Sequence, residues 1–128
     1  MRCLLDTHSF LWWIADIPRL SGPARSLIED DANEIWLSVV SAWEIALLVQ
    51  RARLTLEMAP LLLIPQQVAA NGFSVLPVHL QHTLQVGTLP FLHRDPFDRM
   101  LVAQAQVEGL TLITGDTAIT RYAVSTIW

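Results

Sequence analysis

The chain has 128 residues, of which 52% are hydrophobic and 16% charged, and its formal net charge is −4. This composition excludes a disordered chain, and the length suits a single domain over residues 1–128 with one core. The negative charge argues against binding nucleic acid by bulk electrostatics, and the absence of lysine excludes Schiff-base chemistry and a P-loop.

The sequence predicts a cytoplasmic protein, because its apolar runs are too short to span a membrane. None of them reaches the roughly 20 residues that a membrane span needs. The apolar start could open a signal peptide, but Asp6 interrupts it and no small-residue cleavage site follows. The single cysteine, Cys3, permits no internal disulfide, which agrees with a reducing compartment.

The first half of the chain predicts alternating strands and helices. Arg2 to Asp6 is a short apolar run that ends in an acid, and the Thr-His-Ser that follows can cap a helix. Ser21 can cap a short amphipathic second helix, and EIWLS at 34–38 has the composition of a buried strand. The next helix can begin at either of two capping serines, Ser38 or Ser41.

The second half continues the alternation. Pro60 and Pro65 bracket an apolar LLLI run, and Gly72 is a suitable helix C-cap farther on. A long helix is predicted to have Pro96 in its first turn and to end at Gly109. The other predicted elements are a strand, a short helix, a strand, a short helix and a strand, at Phe73–Leu76, His79–Val86, Leu110–Ile113, Thr114–Tyr122 and Ala123–Ile127.

This alternation indicates an α/β fold of three layers, in which helices flank a mostly parallel central sheet. Such sheets bind ligands outside the carboxyl ends of their strands. Asp6 and Asp116 are predicted to lie at those ends. Glu44 is one to two turns into its helix, and Asp98 lies in the first turn of another, so all four acids can reach one crevice.

The convergence of four acids predicts a metal site. Burying carboxylates costs several kcal/mol unless a positive charge compensates them. Hard divalent cations such as Mg²⁺ or Mn²⁺ prefer oxygen ligands, and no His/Cys cluster has the spacing of a zinc site. Such cations activate water for attack on phosphodiesters. We therefore predict metal-dependent hydrolysis with Asp6, Glu44, Asp98 and Asp116 as ligands and catalytic residues.

Four ordered blocks of sequence resemble the PIN-domain ribonucleases, of the VapC toxin type. The blocks are DTHSFLWW at 6–13, SVVSAWEI at 38–45, HRDPFDRMLVAQA at 93–105 and TGDTAITRY at 114–122. The resemblance implies a PIN-like fold and an endoribonuclease that uses Mg²⁺ or Mn²⁺ to cut RNA. It also implies the toxin of a type II toxin–antitoxin pair, usually a homodimer, whose acidic groove is filled by a cognate antitoxin.

The resemblance assigns the acids by position. Thr7 and Thr114 match polar residues beside the first and fourth acids, and they are secondary site candidates. The third acid has two candidates, because Asp95 and Asp98 both belong to the motif. We place it at Asp98, inside the helix, and Asp95 can instead cap that helix.

Arginines must supply any contact to RNA phosphates. Relatives often carry a lysine shortly after the WEI motif, where this chain has Leu47 and Leu48. Arg94 and Arg99 are the candidate phosphate contacts beside the acids. Further candidates are Arg51, Arg53 and Arg121.

The same composition allows an alternative function of a different class. A lysine-free, acidic protein repels RNA and attracts a basic segment of a partner. The alternative is therefore a non-catalytic module whose acidic groove binds an arginine-bearing partner.

Overall fold

The computed structural model describes residues 1–128 and contains five strands, β1 to β5. They are Arg2–Leu5, Glu34–Ser38, Ser74–Leu76, Thr111–Ile113 and Thr126–Ile127. The strands form one sheet in the order β3-β2-β1-β4-β5, and every neighbouring pair is parallel. The predicted parallel α/β architecture is confirmed.

Six helices connect and cover the strands. Helices α1 to α6 are Thr7–Ile14, Gly22–Glu29, Val39–Gln50, Pro60–Asn71, Leu80–Val86 and Pro96–Glu108. Ser38 caps α3 by accepting a hydrogen bond from Val40 N–H, so it, rather than Ser41, begins this helix. Gly72 and Gly109 end α4 and α6 at φ 66°, a left-handed conformation that glycine adopts without strain.

The core has one cluster on each face of the sheet. Successive side chains of a strand point to opposite faces, so Cys3 and Leu5 pack with Phe10 on one face. Leu4 packs on the other face with Leu101 of α6. This two-sided burial gives the three layers predicted from the sequence.

The segment after β4 differs from its prediction. A helix was expected over Thr114–Tyr122, but only a single 3₁₀ turn forms, at Ile119–Arg121. The side chain of Thr114 accepts from Asp116 N–H, and that of Asp116 accepts from Ala118 N–H. These local bonds satisfy backbone groups in a turn and compete with helix formation.

One other predicted element changes in extent. The last strand covers only Thr126–Ile127, instead of the predicted Ala123–Ile127. Helix α4 begins at Pro60, continues through Pro65 and ends at Gly72, the predicted C-cap. No helix is long and apolar enough to cross a membrane.

The register of the central strands creates the site. Leu5 of β1 lies beside Leu37 of β2 and Ile113 of β4. The chain therefore leaves all three strands at the same edge, and Asp6 and Thr114 are the first residues beyond β1 and β4. This edge is the position at which parallel α/β sheets bind ligands.

Candidate active site

Asp6 is fixed at the junction between β1 and α1. It is 4% exposed, and its Oδ1 accepts from Ser9 N–H at 2.7 Å as the N-cap of α1. Its Oδ2 accepts from the hydroxyl of Thr114 at 2.5 Å. Both carboxylate oxygens thus have a donor, and the side chain is held in one orientation.

Glu44 approaches the same edge from α3 and is tied to α1. The hydroxyl of Thr7 donates to Glu44 Oε1 at 2.6 Å and lies 3.0 Å from Ser41 Oγ. Burial raises the pKa of the Glu44 carboxyl, the Thr7 bond lowers it, and the charges of Asp95 and Asp6 raise it further. Glu44 is therefore within electrostatic range of the other acids.

Asp98 occupies the first turn of α6 and is strongly perturbed. Burial, followed by the charges of Asp95, Asp116, Glu44 and Asp6, raises its pKa from 3.8 to about 8. Asp98 therefore lies within electrostatic range of the other three predicted acids and of Asp95, around the crevice that Asp6 and Asp116 line.

Asp95 caps α6, as the sequence allowed. Its Oδ1 accepts from the backbone N–H groups of Phe97, at 2.9 Å, and Asp98, at 3.2 Å. One oxygen of Asp95 is thereby used in the helix cap, although its charge still acts on the crevice.

Thr114 joins Asp6 to Asp116. Besides donating to Asp6, its buried hydroxyl accepts from Asp116 N–H at 3.0 Å. Asp116 itself is exposed and borders a cavity of about 300 Å³. The other lining residues of this cavity are Asp6, His8, Trp12, Arg19 and Gly115.

A chain of hydrogen bonds that was not foreseen supports Asp98 from behind. Arg99 donates to the hydroxyl of Tyr122 at 2.9 Å, that hydroxyl lies 2.8 Å from His93 Nδ1, and His93 Nε2 lies 3.2 Å from Asp98 Oδ2. Tyr122 is buried and arginine cannot accept, so the tyrosine proton goes to Nδ1. His93 then carries its own proton on Nε2 and donates it to Asp98.

The predicted role of Arg99 as an RNA contact is not supported by its position. Arg99 is 8% exposed and also donates to the backbone carbonyls of Pro90 and Val86. A guanidinium enclosed in this way braces the loop before α6. The sequence did not show this, because a surface arginine and an enclosed one occupy the same position in the motif.

The other candidate arginines also lie away from the acids' cavity. Arg94 lines a separate apolar groove of about 580 Å³, formed mainly by α3 and α6 with Trp43, Phe91 and Phe97. Arg121 donates to Leu92 O. Arg51, Arg53 and Arg121 are not among the residues that line the cavity, whereas Arg19 and His8 are.

The donor set of the crevice fits a hard cation in its chemistry. All the converging ligands are carboxylate oxygens, which Mg²⁺ and Mn²⁺ prefer. No three Asp, Glu, His or Cys side chains are close enough together to hold one ion as they stand. An ion bound by one or two of these carboxylates would complete its coordination with water, as Mg²⁺ usually does.

Known proteins resemble the chain along most of its length. Residues 3–125 match the model of the PIN domain family. Ribonuclease VapC22 of Mycobacterium tuberculosis (strain ATCC 25618 / H37Rv) is 34% identical over 113 residues, which cover 88% of this chain and 85% of that protein.

Solved structures show the same fold at lower identity. A crystal structure of VapBC2 from Rickettsia felis bound to a promoter DNA fragment has a TM-score of 0.72 at 16% identity, covering 99% of this chain and 98% of that one. DNA-bound VapBC from Salmonella typhimurium has a TM-score of 0.71 at 18% identity, with coverage of 99% and 97%. The family model and the 34% identical relative settle the family: the chain belongs to the PIN domain family.

Proposed function

We propose that this protein is a metal-dependent endoribonuclease and the toxin of a type II toxin–antitoxin pair. The observation that carries the proposal is the convergence of Asp6, Glu44, Asp98 and Asp116 at the carboxyl edge of the sheet. A curated relative is named a ribonuclease, and solved structures of similar fold are of VapBC complexes.

The residues of the crevice divide the work of hydrolysis. Asp6, Glu44, Asp98 and Asp116 would hold Mg²⁺ or Mn²⁺, which when bound lowers the pKa of water and stabilises the charge of phosphodiester displacement. Thr7 orients Glu44, and Thr114 orients Asp6. Cys3 is fully buried and burial raises the pKa of its thiol, so it is no nucleophile, and water attacks directly.

The proposed partners follow from the surface. A cognate antitoxin would place a basic segment against the acidic crevice, where unlike charges attract. We also expect a homodimer, because Trp43 is 60% and Phe91 75% exposed beside the apolar groove. Sedimentation velocity of the purified protein measures that state.

The proposed activity is tested with labelled RNA in Mn²⁺ and in EDTA. Wild-type protein should cut only with the metal, and Asp6→Asn should lower the rate more than about 100-fold, the upper range for losing even an indirect metal partner. Asp31→Asn makes the same charge change on an exposed loop and should cut normally.

Cleavage in EDTA, or normal cleavage by Asp6→Asn, would contradict the proposal. Protein that cuts no RNA in Mn²⁺ but binds an arginine-rich peptide would instead support the non-catalytic module. Calorimetric titration of Mn²⁺ into wild type and Asp6→Asn adds a readout of metal binding that does not depend on cleavage.

A further inference from the structure

The cavity beside Asp6 and Asp116 contains one arginine, Arg19, from the loop between α1 and α2. Its guanidinium carbon lies 5.0 Å from the ring centroid of Trp12, a cation–π contact. Arg19 makes no ion pair within the chain, whereas Arg2 and Arg25 pair with Glu34 and Asp16. Its donors therefore stay available while its position is restrained.

Trp12, which holds Arg19, is itself held in place. Its ring lies 5.6 Å from that of His8 and 5.7 Å from that of Trp128, and it packs against the core. Trp128 lies directly against Gly115, where any side chain would collide with its ring. The cavity is thus lined by the restrained ring of Trp12 as well as by the carboxylates of Asp6 and Asp116.

We propose that this cavity is an RNA subsite in which Arg19 binds a backbone phosphate adjoining the carboxylates and Trp12 positions Arg19. This inference rests on the proposed RNA substrate. It identifies Arg19 as a positively charged side chain beside the acids that sequence patterns did not predict. Carboxylates repel a polyanion, so the approach of RNA needs a fixed positive charge close by. An arginine fork suits phosphate oxygens, and about 300 Å³ is at the lower end of ligand pockets.

The test measures RNA binding without cleavage. Labelled single-stranded RNA is titrated by fluorescence anisotropy in EDTA with Asp6→Asn protein, with and without Arg19→Gln, at several salt concentrations. Loss of one phosphate contact should weaken binding at least about fivefold, and should reduce the slope of log K against log salt by about 0.7. Arg19→Lys keeps the charge and should retain most of that slope.

Arg2→Gln is the matched control. Arg2 begins β1, at the amino end of the strands and away from Asp6. Its replacement removes the same charge and should leave the slope unchanged. Equal effects of Arg19→Gln and Arg2→Gln would overturn the subsite, as would failure of Asp6→Asn protein to bind RNA at all. Unfolding midpoints for both variants exclude a loss of fold.

Cleavage kinetics separate this inference from the proposed activity. In the protein with Asp6 intact, Arg19→Gln should raise KM more than it lowers kcat. An unchanged KM in an active enzyme would overturn the subsite and leave the ribonuclease in place. A wild-type protein that binds RNA through Arg19 but never cuts it would support the subsite and contradict the proposed ribonuclease activity.

Discussion

Asp6 and Asp98 are both largely enclosed carboxylates at one edge of the sheet, yet their oxygens are occupied differently. Asp6 accepts from a backbone N–H and from a threonine hydroxyl, one on each oxygen. Asp98 has a single imidazole partner at 3.2 Å and several carboxylates around it. Two enclosed carboxylates at the same edge of the sheet therefore differ in the number of hydrogen-bond donors that the fold supplies to them.

The crevice therefore has two different ends, a prepared end around Asp6 and a strained end around Asp98. At the prepared end, around Asp6, the fold supplies the donors before any ligand arrives. At the strained end, Asp98 keeps a proton near neutral pH because its pKa is about 8. A cation that offsets the mutual repulsion of the acids would favour its ionised form.

Asp98→Asn should remove activity and stabilise the metal-free fold. From pH 3.8 to about 8 the folded protein holds the Asp98 proton that the unfolded chain has released, so wild-type stability falls as pH rises. The variant has no such group, and above the folded pKa it should be more stable by roughly 2–4 kcal/mol.

Urea unfolding in EDTA across this pH range measures the difference between Asp98→Asn and wild type. Asp6→Asn, at the prepared end, should not be stabilised, because an amide offers one acceptor oxygen where the fold supplies two donors. The same gain in both variants would remove the distinction between the two ends. Cleavage by Asp98→Asn should fall more than about 100-fold, as for loss of a metal ligand.

Thr114→Val should damage the prepared end. Valine has nearly the same shape but leaves Asp6 Oδ2 and Asp116 N–H without their shared partner. Unsatisfied buried groups cost about 1–3 kcal/mol each, and loss of an orienting partner typically costs about 10–100-fold in activity. Thr114→Ser keeps the hydroxyl and serves as the control. Equal unfolding free energies for the two variants would show that the hydroxyl does not matter.

Tyr122→Phe should affect the strained end by a smaller amount. It removes the donor to His93 Nδ1, so the imidazole is free to carry its proton on either nitrogen. We expect about 1–2 kcal/mol of destabilisation from the lost bonds of Arg99 and His93. Nitrogen NMR of the His93 ring reports the tautomer, and an unchanged Nε2–H form in the variant would contradict the assigned direction of the chain.

The sequence predicted those parts of the site that depend on strand ends and caps. Asp6 follows an apolar run and Asp95 precedes a proline in the first turn, and both signals are local. His93 and Tyr122 are 29 residues apart, and their contact depends on how the loop before α6 folds against the turn after β4. Arg19 was missed for the same reason, since its place beside Trp12 is set by tertiary packing. The turn after β4 was wrongly predicted to be a helix, because the side chains of Thr114 and Asp116 bind the backbone N–H groups there.

Asp95→Asn should have the smallest effect on stability and decides what the charge of Asp95 does. Asparagine caps helices about as well as aspartate, so the bonds to Phe97 and Asp98 N–H should persist, with a change of a few tenths of a kcal/mol. Removing its charge should also lower the raised pKa values of Asp98 and Glu44. Asp95→Ala loses the cap and should cost about 1 kcal/mol. If Asp95→Asn cuts RNA normally while Asp98→Asn does not, Asp98 is the third acid; the opposite result would assign that role to Asp95.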